Sequence, residues 1–285
     1  MEIRNRRLAR AASLVLGALV PVALAQTPSP TAGNCLAFDG VDDFVGVARS
    51  VALEPGEITI ELWARLDGPQ DWNTRLLRKG EHDAYFMTCD QDLDQQIQVM
   101  YTRGSQFRVW AKDPQKHTAY LGEWHHFLGI YALDHLEFWI DGVQVASEPH
   151  SLGAMTHLPL TDLCIGAGLP VQMPNEYFKG RIDEVRLWNY PRTPAEIDAT
   201  WNRTVGGGEP GLIARWNFDE GAGQAAHDLS SFGHHGVLGA TNAVGPDDPT
   251  WVPSDAPILP LGCDVTSYCI GAINSTGKGA AIGWS

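Results

Sequence analysis

A two-residue apolar period is the strongest constraint in this chain. Ile58-Thr59-Ile60-Glu61-Leu62-Trp63 places Ile58, Ile60 and Leu62 on one side, and Leu136-Glu137-Phe138-Trp139-Ile140-Asp141 does the same with Leu136, Phe138 and Ile140. Side chains alternate across a strand, so each run turns one apolar face to a core and a mixed face the other way. Further extended runs are expected at 36–47, 76–79, 84–88, 97–102, 107–112, 124–133, 144–147, 164–167 and 180–188, separated by Gly, Pro, Asn and Asp. With 30 Gly, 18 Pro and 10 Trp the chain is rich in turns and aromatics, which excludes a helical bundle. So many short strands imply an all-β fold, a two-sheet antiparallel jelly-roll sandwich. One helix is expected near 194–201, where Thr193-Pro194-Ala195-Glu196 combines an N-cap, a proline in the first turn and a capping-box glutamate.

The ends of the chain bear on compartment. Arg4, Arg6, Arg7 and Arg10 precede an apolar run from Ala11 to Leu19, and Ala23-Leu24-Ala25 has the small residues of a cleavage site. Residues 1–25 therefore read as a secretory signal peptide cleaved near Ala25, its apolar run falling short of the ~20 residues a bilayer span needs. Residues 26–34 form a linker. The expected product is secreted, extracellular or periplasmic, without membrane insertion. Cleavage removes four arginines and one glutamate and leaves 16 basic against 33 acidic residues, a formal charge of −17. That balance argues against nucleic acid and anionic membranes, which reward Lys and Arg, and is compatible with calcium. Disulfides are permitted in such a compartment, and Cys263 with Cys269 is the candidate local bridge. The five cysteines leave at least one thiol free, and none has CxxC spacing.

Five ordered motifs carry a resemblance. They are Leu36-Ala37-Phe38-Asp39-Gly40-Val41-Asp42-Asp43-Phe44-Val45, the Ile58–Trp63 run, Gly122-Glu123-Trp124-His125-His126-Phe127, Trp139-Ile140-Asp141-Gly142, and Phe178-Lys179-Gly180-Arg181-Ile182-Asp183-Glu184-Val185-Arg186-Leu187-Trp188-Asn189. Together, across 35–203, they resemble the LamG-like (laminin-G-like) jelly roll of the concanavalin A-like lectin/glucanase superfamily. The resemblance implies a sandwich often carrying a structural calcium and used mostly for glycan or protein binding. Within residues 204–258, the stretch from Leu212 to Val252 looks like the one that normally precedes the Phe-Asp-Gly strand, so the segment either completes the same sandwich or opens a second repeat. Completion is expected, because so short a segment hardly buries a core alone. In the tail, 259–285, the stretch Tyr268 to Gly277 is similar to the start of a small C-terminal β-module of exported planctomycete proteins, a pattern in which more chain is expected to follow.

Three chemistries come into question. Asp39, Asp42 and Asp43 crowd carboxylates into one turn, as a hard cation requires, and the resemblance adds Asp183 and Glu184 from a neighbouring strand. The same turn is also explained by Asp side chains capping backbone N–H groups. Strand parity sets Trp63, Trp110 and Trp139 opposite the aliphatic positions. There they line a solvent-facing sugar groove, or they are covered by loops or the C-terminal segment; Trp72, Tyr85, Tyr101 and Tyr120 are secondary candidates. Glycosidase chemistry needs two carboxyls, but Glu57-Ile58-Thr59-Ile60-Glu61 has Thr59 where the glucanase pattern has aspartate. His125 and His126 point to opposite strand faces and do not converge on a metal. The expected protein is no enzyme but a calcium-supported binder of polysaccharide or glycoprotein glycan, the alternative being a structural or adhesion module contacting a cell-surface protein.

Overall fold

A computed structural model describes residues 33–71, 73–80, 84–89, 96–104, 107–157, 161–168 and 176–261. The expected signal peptide, Trp72 and the Cys263–Cys269 pair lie outside these residues. The described chain forms two eight-stranded antiparallel sheets and one α-helix, α1 (Pro194–Thr200). In the first sheet the order is β10 (Val143–Pro149), β9 (His135–Ile140), β8 (Trp124–Tyr131), β3 (Ile58–Leu66), β12 (Lys179–Trp188), β1 (Asn34–Asp39) and β16 (Thr250–Pro253), with β13 (Leu212–Trp216) also pairing with β12. In the second it is β14 (Ala225–Ala226), β15 (Gly236–Leu238), β2 (Val45–Val47), β11 (Leu163–Ile165), β4 (Thr74–Lys79), β5 (Ala84–Cys89), β6 (Gln96–Arg103) and β7 (Phe107–Lys116). Residues 204–258 thus supply strands to both sheets.

The core lies between the inner faces. Ile58, Ile60, Leu62, Phe127, Phe138 and Ile182 meet Val45, Leu77, Met87, Ile97, Val99 and Ala111 there. Tyr85, Tyr101 and Tyr120 also point into this core, which removes them from the candidate sugar contacts. The expected run 36–47 is two strands in different sheets. The Asp39 carboxylate accepts the Val41 N–H at 2.7 Å, and Asp43 accepts the Asp39 N–H at 2.7 Å. These bonds end β1 and redirect the chain into β2.

The outer face of the first sheet is not solvent-facing. Glu61 is fully buried and accepts Trp188 Nε1–H at 2.7 Å and Arg192 Nη1–H at 3.1 Å, with His126 Nε2 at 3.0 Å and the Arg186 guanidinium at 3.7 Å. Burial by itself would raise this carboxyl; Arg186, the His126 hydrogen bond and Arg192 outweigh it and hold Glu61 well below the usual carboxylate range. On β12, Glu184 binds Arg186 and Arg215, the latter at 2.7 Å. Arg192 then donates to the Glu196 carbonyl and to Thr200 Oγ1 of α1, whose capping box is complete. The helix is thereby fastened over the sheet.

This cover corrects the groove reading for two tryptophans. Trp63 is 1% exposed, stacked against Trp201 at a centroid distance of 5.9 Å and packed with Ala256 and Ile258. Trp139 is 7% exposed, lies against Leu128, Ile130 and Ile197, and gives its indole N–H to Glu137. Gly142, at φ +76°, leaves the space Trp201 occupies: a Cβ there would stand 2.8 Å from the indole nitrogen. Strand parity was right for both residues, but the cover comes from chain more than 50 residues away. Trp63→Ala is therefore expected to lower the unfolding free energy by about 3–5 kcal/mol in a urea titration; a loss below about 1 kcal/mol would contradict its burial.

Candidate functional site

The outer face of the second sheet carries an in-register row that crosses four strands. Arg78 on β4 pairs with Phe86 on β5, Phe86 with Met100 on β6, and Met100 with Trp110 on β7. Beside it runs a polar row, Arg75, Thr88, Gln98 and Lys112. The inner end is sealed by charge. Glu176 accepts Arg75 Nε–H and Nη2–H at 3.2 Å each and Arg78 Nη1–H at 2.8 Å, while the Arg75 guanidinium lies 4.3 Å above the Phe86 ring. The outer end is open. Trp110 is 42% exposed, Arg108 beside it is exposed, and Lys112 Nζ stands 5.4 Å from the Trp110 ring. An accessible indole flanked by polar side chains suits a ligand with apolar C–H faces and hydroxyl edges.

Of the three tryptophans singled out in the sequence, Trp110 alone keeps this exposure. Phe86, Met100, Arg75, Arg78 and Glu176 were not singled out. The parity of the runs at 84–88 and 97–102 already places Phe86 and Met100 opposite the core residues Tyr85, Met87, Val99 and Tyr101. Glu176 approaches from a distant loop and gives no local signal.

The acidic turn forms a compact second cluster, at the crossing from β1 to β2. Asp39, Asp42 and Asp43 each present a carboxylate oxygen within 4.8 Å of the others. Burial, with the charges of Asp39, Asp42 and Asp248, pushes the Asp43 carboxyl up to about 7 against the opposing Asp39 N–H bond. An all-oxygen set whose charges repel one another fits a hard divalent cation, which these three residues would hold. Asp183 does not join them. It lies on β12 one residue beyond the Ile182–Leu36 pair, about 13 Å along the strands from Asp39 at ~3.3 Å per residue. Its carboxylate accepts Ser254 Oγ–H at 2.6 Å and the Glu184 N–H at 2.8 Å. Glu184 is spent on its two arginines. A bulge between Asp183 and Arg186, with Glu184 at φ +44°, turns both acids into the buried network under 254–256.

Residues 39–198, more than half of the chain, match the Laminin_G_3 family model of the concanavalin A-like lectin/glucanases superfamily. The chain belongs to this family. Mouse pappalysin-1 is 26% identical over 186 residues, which cover 61% of this chain and 11% of that protein, so the chain spans about a tenth of the curated relative it matches. Among solved structures, a proposed carbohydrate-binding protein from Bacteroides ovatus superposes with a TM-score of 0.60 at 17% identity, covering 79% of this chain and 61% of that one. At that identity the likeness is one of fold. Mouse laminin α1 domains LG4-5 align at a TM-score of 0.43 and 20% identity, over 55% of this chain and 41% of that one.

Burial of Asp183, reinforced by Glu184, raises its carboxyl well above the usual range. The folded protein therefore keeps this proton at pH values where the unfolded chain, ionising near pH 4, has lost it, and the contribution of this group to stability falls as pH rises above about 4. Asp183→Asn is expected to flatten that part of the slope, read as the unfolding midpoint from pH 4 upward; an unchanged slope would contradict the raised carboxyl.

Proposed function

We propose that the protein is an exported, non-catalytic module that binds neutral polysaccharide or glycoprotein glycan across the outer face of its second sheet. The observation that carries this reading is the open Trp110 end of the Phe86–Met100–Trp110 row, set against a first sheet whose outer face is closed by α1 and 254–258. Membership in a lectin/glucanase superfamily supports it, as does the carbohydrate-binding description of the Bacteroides ovatus structure. The signal-like residues 1–25 support export, and no described helix is long and apolar enough to cross a membrane. Calcium held by Asp39, Asp42 and Asp43 serves as a clamp at the crossing between sheets.

The acids available for glycosidase work support the non-catalytic reading. Glu61 is held ionised by two arginines, bonded to Trp188 and cut off from solvent, so it neither donates a proton to a leaving group nor reaches a sugar. Glu57 accepts the Leu133 N–H. A second reading, adhesion to a cell-surface protein, draws on the exposure of Phe107 and Trp110 on the edge strand β7.

An array of neutral soluble polysaccharides and glycans separates the two. Binding by the wild-type chain is expected to fall at least about tenfold in Trp110→Ala, with an unfolding midpoint close to wild type because the residue is exposed. EDTA is expected to lower thermal stability more than affinity, and Asp42→Asn/Asp43→Asn to abolish the stabilisation by added calcium. Wild-type glycan binding that survives in Trp110→Ala would refute this face as the site, and absence of wild-type binding would favour the protein partner.

A further inference from the structure

The open end of the Phe86–Met100–Trp110 row is one-sided in its hydrogen bonding. Along β7 the indole of Trp110 stands between Arg108 and Lys112, each two residues away and therefore on the same face of the strand. Arg108 is exposed and Lys112 part-exposed, its Nζ 5.4 Å from the Trp110 ring. Neither side chain has an acceptor or an ion-pair partner among the described residues. A guanidinium and an ammonium donate and never accept. The neighbours able to accept are turned from solvent: Thr102, paired with Arg108, is 6% exposed, and Gln98, paired with Lys112, is 0% exposed. Further in, both Glu176 oxygens are taken by Arg75 and Arg78. In the three cross-strand pairs centred on the indole, the exposed polar groups are thus donors only, beside an apolar floor of Trp110 and part-exposed Met100.

Such a site ranks sugars by the group they bring to it. A hydroxyl both donates and accepts, so against two cations it uses its lone pairs and leaves its proton to water. An ammonium is repelled. A carboxylate accepts well, but a polyuronate brings a charge on every ring to a chain of formal charge −14, and only the ring at Trp110 meets the two cations. An acetamido group is neutral, its carbonyl oxygen has two lone pairs and no proton, and its methyl suits the apolar floor.

We propose that the Trp110 site selects N-acetylated amino sugars, the acetamido carbonyl accepting from Lys112 and Arg108 and its methyl resting on Met100. This rests on the reading of the face as the glycan site and adds the sugar class it prefers. The Lys112 ammonium that stands at the ring in the free protein passes to the carbonyl as the sugar ring takes its place.

Calorimetry on the full chain with four tetrasaccharides tests it. Those of N-acetylglucosamine, glucose (cellotetraose) and glucosamine share a β-1,4 backbone and differ only at C2; tetragalacturonate is the acidic arm. The N-acetylglucosamine tetramer is expected to bind at least about fivefold more tightly than cellotetraose, and the glucosamine tetramer most weakly. In Arg108→Gln/Lys112→Gln the amides accept as well as donate, so the ratio between the two neutral tetramers is expected to fall to about one. Both side chains reach solvent and the fold is expected to persist, checked by the unfolding midpoint. Equal binding of the two neutral tetramers, lost in Trp110→Ala, would overturn the preference and leave the glycan site standing. Tighter binding of tetragalacturonate would replace it with an acidic ligand. A preference that survives in the double variant or in Trp110→Ala refutes it, as does no binding of any tetramer; in that last case the neutral polysaccharide array decides separately whether the face binds glycan at all.

Discussion

The buried contact between Glu61 and the arginines of β12 and its following loop is the interaction on which the rest of the molecule depends. Charges on the outer face of a sheet normally stay in water. Here Glu61, Arg186, Arg192, Glu184 and Arg215 are all taken out of it, so each must be paired. The arginines reach further: Arg186 to the backbone at Thr200 and Arg203, Arg192 to Glu196 and Thr200. One set of ion pairs therefore joins β3, β12, β13, α1 and the loop after it. With the helix fixed, Trp201 has a defined place over Trp63, and the chain from Ser254 to Ile258 seals the remaining edge.

That closure decides which surfaces remain for recognition. A jelly roll has two outer faces of similar size, and sequence patterning alone treats them as equivalent. Covering one leaves the other, and the margins of the cover, open to solvent. Trp110 lies on the uncovered sheet. The acidic turn lies at neither. It sits where the chain passes from one sheet to the other, a position suited to holding the layers together rather than to choosing a ligand.

Much of the architecture was legible because period-two patterning and capping are local. Ile58 to Trp63 and Leu136 to Asp141 fix their inward faces without reference to anything distant, and the Thr193–Glu196 box marks the start of α1 to the residue. The failures have a common cause. Trp63 and Trp139 face away from the core as their parity requires, yet their solvent is displaced by residues far along the chain. Asp183 was placed beside the acidic turn by the resemblance, but the pairing of Ile182 with Leu36 and of Lys179 with Asp39 sets it well along the strands from that turn, against Ser254. The break after Asp39 was hidden because the residues on both sides of the turn are equally strand-like. The Arg75–Glu176–Arg78 cluster joins chain about 100 residues apart and follows from no local pattern.

The pairing of the first strand with the last has a mechanical consequence. Asn34 lies opposite Pro253, so the chain enters and returns along one edge of the covered sheet. After Pro253 the chain crosses Trp63 to reach Arg203, so both described ends lie on the covered side, opposite the surface bearing Trp110. Tension arriving from the C-terminal side is borne first by residues 254–259, the strip that lies over Trp63 and bridges to Arg203, before it reaches either sheet. That strip is the part of the sandwich best placed to yield under load while the opposite surface keeps its shape.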